Sequence, residues 1–273
     1  MTLDRRVTLA GLTLGLLAST SPASAQTIRQ LDVTVPGGPG SGLDQAARGV
    51  EDALKAEGIV TAIRINNVTG GGGMIALSQF VTTKEGNKSA VVFQGAGTVF
   101  FPLTNKTQVS LADVRPLVRL AGEYEVMAVR KDSDIKDFKD LMARFKANPG
   151  SVAWGGGLQD FATQVEAGKL RIIAVASPER LPGVDAPTLK ELGYDIVFAN
   201  WRGVSVHKSL DDASANALAD LFKKLVGTPR WKKILADRGW LDLYLAEKDY
   251  QAFIAEETRI AKEIIADLGI VPK

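Results

Sequence analysis

The feature that most constrains this chain is an alternation of apolar patterning in its first hundred residues. Leu31, Val33 and Val35 alternate with Asp32 and Thr34, which is the two-residue period of a strand, and Pro36 ends it. The glycine loop Gly37-Gly38-Pro39-Gly40-Ser41-Gly42 follows, and then Leu43, Ala47, Val50 and Leu54 recur at helical spacing as far as Gly58. The pattern next predicts a strand through Ile63 and Ile65, a glycine turn at Gly70–Gly73, a helix Ile75–Val81 and a strand Ala90–Phe93. Strand, helix, strand, helix, strand in this order requires a parallel sheet with right-handed crossovers.

A second α/β set follows. Past Leu117–Ala121 the spacing predicts a strand Val126–Arg130, a helix Asp137–Ala147 closed by Asn148-Pro149-Gly150, and a short strand Val152–Trp154. Gly155-Gly156-Gly157 is a third glycine loop, after which come a helix Gln159–Ala167 and strands Leu170–Ala176 and Ile196–Ala199. Helices are expected at Ala213–Val226, Trp231–Arg238 and Lys248–Leu268, separated by Gly227, Pro229 and Gly239-Trp240. No repeat period and no low-complexity linker is present, so two lobes joined by short crossing strands are expected.

Residues 1–25 read as an export signal. Arg5-Arg6 precede the uncharged apolar run Val7–Ala18, which is too short to span a bilayer, and Ala23-Ser24-Ala25 supplies a small-residue cleavage site. The Sec route fits this pattern, with twin-arginine export as the alternative. A soluble, unanchored chain of about 248 residues would remain in the periplasm, enough to bury roughly 70–75% of its unfolded surface. The absence of cysteine excludes disulfides, thiolate metal sites and a lipid-bearing cysteine. A net charge of +2, spread among mixed signs, gives no footprint for nucleic acid. With His207 as the single histidine, and no GxxxxGK[ST], HExxH or GxSxG, the chain reads as neither an enzyme nor a metalloprotein, and no cofactor is expected. His207, beside Lys208, reads as a solvated loop residue.

In open α/β sheets ligands sit beyond the carboxyl ends of strands, and three glycine loops occupy that position. They supply the candidates Gly37, Gly38, Gly40, Ser41, Gly42 and Asp44, then Gly95, Gly97 and Thr98 of Gln94-Gly95-Ala96-Gly97-Thr98, then Trp154, Gly155 and Gly156. Backbone N–H groups freed by glycine, with a helix N-terminus behind them, suit an anion. Taken alone, the first loop reads equally as a tight strand-to-helix turn, and Gly70–Gly73 reads as a flexible turn. Asn200, Trp201 and Arg202 are read as the end of a strand, where Arg202 either takes a carboxylate in bidentate fashion or is a surface arginine with Trp201 in the core.

These segments resemble the substrate-binding proteins of tripartite tricarboxylate transporters, the Bug family of extracytoplasmic solute receptors. The resemblance rests on Val33–Asp44, Asn67–Gly73, Ala167-Gly168-Lys169-Leu170-Arg171, Pro187–Gly193, Asn200-Trp201-Arg202-Gly203 and Asp267-Leu268-Gly269, in that order over nearly all of the expected mature chain. It implies a Venus-flytrap fold in which two α/β lobes close on an organic acid. One lobe is expected from residues 26–122 and 204–273, the other from 123–203. It further implies that Gly37–Asp44 and a second loop beginning at Trp154-Gly155-Gly156 hold a ligand carboxylate. A monomeric receptor would deliver this acid, a di- or tricarboxylate or similar, to membrane permease subunits.

The chain departs from that family at Gly157, which runs directly into Leu158. On the order of 45–50 residues, about two helix-strand units at usual element lengths, are expected to be absent, leaving the second lobe incomplete with an altered sheet edge. The alternative function is then a truncated, non-transporting paralogue acting as an interaction protein.

Overall fold

The computed structural model describes residues 28–148 and 156–267. The export segment, the expected strand Val152–Trp154, and the candidates Trp154 and Gly155 lie outside the described residues.

The opening alternation forms β1 (Gln30–Val35), α1 (Gly42–Ala56), β2 (Ala62–Asn67), α2 (Met74–Thr83) and β3 (Ala90–Gly95). β1 pairs in parallel with both β2 and β3, as the crossover rule requires. Ser41 caps α1 by accepting from the Asp44 N–H at 3.4 Å, and Asp44 places a negative charge in the first turn, where the helix dipole favours it. The expected loop after Phe93 is instead the end of β3 followed at once by α3 (Ala96–Thr104). Gly97 and the internal Pro102 hide this helix from a propensity reading.

β4 (Val114–Arg130) is a single strand of 17 residues, where Leu117–Ala121 and Val126–Arg130 were expected as separate pieces. Its first part pairs antiparallel with β7 (Ala199–His207), from Val114↔His207 to Tyr124↔Ala199, and with β8 (Leu241–Leu245) on its other side. Its last part pairs with β5 (Gly156–Gly157) and β6 (Leu170–Val175). The larger sheet runs β2-β1-β3-β7-β4, and β4 carries on into the smaller one with β5 and β6 on either side of it. One strand therefore joins the two sheets.

β7 corrects the expected strand Ile196–Ala199: Ile196–Phe198 lie before it, and Asn200–Gly203 begin the strand rather than end it. Val204 and Val206, alternating on the core face with fully buried Ser205 opposite, account for the pairing. His207 is also corrected. It is 6% exposed, its Nδ1 accepts from the Ser209 N–H at 3.1 Å and its Nε2 lies 3.0 Å from the Val81 carbonyl oxygen. A strand end packed against α2 buries it.

The helices α6 (Asp212–Gly227), α7 (Pro229–Asp237) and α8 (Glu247–Asp267) complete the larger lobe, and α4 (Phe138–Ala147) and α5 (Leu158–Glu166) flank the smaller sheet. Asp137, Asp211 and Thr228 cap α4, α6 and α7, and Pro229 occupies the first position of α7, where its missing N–H costs nothing. The main core packs α1, α6 and α7 on one face of the larger sheet through Val33, Val50, Leu54, Leu218, Phe222 and Trp231. Each such side chain contributes about 1.5–3 kcal/mol by burial.

Candidate functional site

β1 and β3 are neighbours and parallel, so their carboxyl ends and the helices that follow them open on the same side of the sheet. A cavity of about 220 Å³ lies there, lined by Pro36, Ser41, Gly42, Leu43, Gly72, Gly95, Ala96, Gly97, Thr98, Asn200 and Arg202. Two helix N-termini converge on it. The first N–H groups of α1 and of α3 have no carbonyl one turn back to bond, and the N-cap of α3, Gly95, offers no side chain to take their place. Unpaired donors with the positive ends of two helix dipoles suit an anion such as a carboxylate.

The first loop is fastened from beneath. Asp44 is 1% exposed, and its carboxylate accepts from the Gly40 N–H at 2.8 Å, Arg48 Nε at 2.8 Å and Asn67 Nδ2 at 3.0 Å. Asn67 Nδ2 also donates to the Gly37 carbonyl at 2.9 Å, which ties the loop to the end of β2. Burial pushes the Asp44 carboxyl up, but the hydrogen bonds from Arg48, Gly40 and Asn67 outweigh it and hold the group below the ordinary carboxylate range. Asp44 thus shapes the loop and faces away from the cavity.

Opposite the loop, Arg202 is 2% exposed. Its Nε donates to the Gly42 carbonyl at 3.3 Å, its Nη1 to the Asn200 carbonyl at 3.1 Å and its Nη2 to Glu123, while the guanidinium lies 4.7 Å from the Trp240 ring centre. Arg202 is therefore no surface residue, and one arm of its guanidinium is already engaged by a protein carboxylate.

The sequence profile of the tripartite tricarboxylate transporter family receptors matches residues 157–270. This segment resembles that receptor family. A UPF0065 protein from the gbd 5' region of Cupriavidus necator is 27% identical over 257 residues, covering 76% of this chain and 77% of that one. Among solved structures, the chain resembles Rhodopseudomonas palustris Rpa4515 with adipate, at a TM-score of 0.77, 18% identity and coverage of 90% of this chain and 99% of that one. It also resembles MatC from Rhodopseudomonas palustris with bound malate, at a TM-score of 0.74, 17% identity and coverage of 87% and 99%. The fold is the mixed α/β fold of periplasmic binding proteins.

Of the candidates named from the sequence, Ser41, Gly42, Gly95, Gly97, Thr98, Asn200 and Arg202 line this one cavity. Gly37, Gly38 and Gly40 belong to the same loop but do not line it. Gly156 lies in the smaller sheet, paired with Val126. Trp201 is 1% exposed, edge-on to Tyr250 and Phe253 at 5.8 and 5.5 Å, and its indole Nε1 donates to Glu257 at 3.4 Å. It is a core residue.

Gly72 is a cavity residue that the sequence reading passed over as part of a flexible turn. Gly70–Gly73 all hold positive φ, at 111°, 57°, 59° and 96°, and lead through a 3-10 turn into α2. A run of four glycines before an apolar helix was the available signal, since four successive left-handed residues are affordable to no other residue type.

Proposed function

We propose that this receptor works outside the cytoplasm, closing its two lobes on a small organic acid and delivering it to the permease subunits of a tripartite tricarboxylate-type transporter. The observation that carries this reading is the convergence of the α1 and α3 N-termini on one cavity at the carboxyl ends of β1 and β3. Malate and adipate, bound by two proteins of similar fold, are both dicarboxylates, which supports a diacid of four to six carbons as the first class to test. The cavity suits a ligand of that size better than a drug-sized molecule. In this reading one carboxylate sits against the N–H groups of Gly42, Leu43 and Ala96–Thr98, and Gly72 lets the turn come close. The smaller lobe, with β5 and the start of α5, closes over the other end.

The alternative, a non-transporting paralogue, draws on the length of the match. The Cupriavidus alignment spans 257 positions, yet 76% of 273 residues is about 207, so about 50 aligned positions face no residue of this chain. That agrees with the segment expected to be missing after Gly157, and with a smaller sheet of three strands among the described residues.

Thermal unfolding of residues 26–273, with and without di- and tricarboxylates, aromatic acids and acidic amino acids, separates the two. An acid at 100 times its dissociation constant adds about 2.7 kcal/mol to the stability of the receptor. A folded chain whose transition no acid raises, and which shows no saturable binding by calorimetry, sinks the receptor reading and leaves the paralogue.

A further inference from the structure

Arg202 is the one charged side chain among the residues lining the cavity, and it is held by Glu123, itself 3% exposed. Glu123 stands on β4 where that strand leaves the larger sheet. Residue 123 pairs with Asn200 of β7, and residue 125 already pairs with Gly157 of β5. Its carboxylate occupies the space that a side chain at Gly157 would fill, immediately before α5 begins. At the other end of the pair, a side chain at Gly42 would meet Arg202 Nη2 at 3.1 Å, at the first residue of α1. The ion pair thus bridges the two strand-to-helix junctions that face one another across the cleft.

We infer that Glu123 is an internal carboxylate that occupies the arginine end of the ligand site and sets the charge of the acid that the site accepts. The inference rests on the reading of this cavity as a carboxylate site. A guanidinium binds carboxylates through its planar fork, and here Glu123 holds one arm of it while backbone carbonyls of Asn200 and Gly42 hold the other two nitrogens. The neighbouring negative charge then repels a further carboxylate brought to the same end. An incoming acid is left with the neutral donors of the α1 and α3 N-termini, which hold one carboxylate and give little advantage to a second. In Glu123→Gln the buried guanidinium loses this counter-ion, and a second ligand carboxylate supplies one.

The test compares adipate with hexanoate, which has the same chain length and one carboxylate fewer, by titration calorimetry on residues 26–273. Glu123→Gln keeps the size of the side chain and an oxygen for Arg202. The variant is expected to raise the ratio of adipate to hexanoate affinity at least fivefold over the native chain, with a steeper loss on adding salt. Adipate binding by the variant alone also supports the inference, and the wider acid panel then decides the receptor reading for the native chain separately. A ratio raised less than fivefold, where the native chain binds adipate, overturns the inference and leaves the receptor reading standing. Binding of neither acid to either protein overturns the inference, and the wider acid panel then decides the receptor reading separately. Should Glu123→Gln not fold, the native chain alone decides: adipate affinity within fivefold of hexanoate affinity is expected, because the second carboxylate meets the charge of Glu123, and adipate binding more than fivefold tighter than hexanoate overturns the inference.

Discussion

At the scale of single residues, the site depends on groups that do not touch the cavity. Asp44 accepts three hydrogen bonds beneath the first loop, so Asp44→Ala leaves the Gly40 N–H without its acceptor and takes from the Asn67 amide one of its two, and is expected to cost ~1–3 kcal/mol in urea denaturation. Its folded carboxyl sits below the ordinary value, so its contribution is present above about pH 4 and is lost as pH falls through the lower, folded value. The alanine variant should therefore lose less stability relative to the native chain near pH 2 than at pH 7. Gly42 and His207 make a second contrast. A valine at Gly42 brings its branched carbons onto Arg202 and the mouth of α1, and should weaken acid binding tenfold or more. His207→Ala removes the bonds to Ser209 and Val81, and should lower the unfolding temperature while leaving affinity within about twofold, measured by calorimetry. Much of this scale was legible in the sequence. Ser41, Gly42, Gly95 and Gly97 announce themselves as glycine-loop positions at strand ends. Glu123 did not, because its role comes from partners 79 residues away on β7 and across the cleft on β5.

At the scale of elements, the first five were legible because β1 to β3 and their helices obey clean two-residue and 3.6-residue periods. β7 was misplaced because it is central to the larger sheet, so its apolar positions are not bounded by turn residues, and Asn200 and Arg202 interrupt the pattern at the site itself. α3 was missed because its glycine and proline disguise a helix whose N-terminus serves the cavity. The turn before α2 allows a test of backbone freedom against packing. Gly72 has φ of 59°, and a side chain there would run into the Phe101 ring, whereas Gly58 has φ of 62° with nothing within 4 Å. Gly58→Ala should cost about 1–2 kcal/mol for its left-handed backbone alone. Gly72→Ala should cost about 1–3 kcal/mol more through overpacking, and it alone should weaken acid binding. Equal thermal shifts for the two variants would mean that the turn yields without disturbing Phe101 or the cavity.

At the scale of the whole molecule, the two lobes have unequal cores. The principal cluster of the larger lobe buries 28 of the described residues, whereas the clusters that α4, α5 and β6 share contain 7 and 3. Residues 192–197 leave Leu192, Tyr194, Ile196 and Val197 between 37% and 48% exposed, beside a groove of Met127, Phe138, Met142 and Phe198. Local opening follows buried apolar area, so the smaller lobe should open well before the chain unfolds as a whole. β4 sets the boundary: its first part is fixed between β7 and β8, and its last part is held by short strands alone. Hydrogen exchange read by peptide mass spectrometry should therefore show slow exchange in residues 114–122 and fast exchange in 126–130, within one unbroken strand. A bound diacid that draws the lobes together should slow the second segment more than the first. Uniform protection along β4, with and without acid, would mean that the small lobe is held by the large one as a single unit, and that closure on a ligand needs no opening of it.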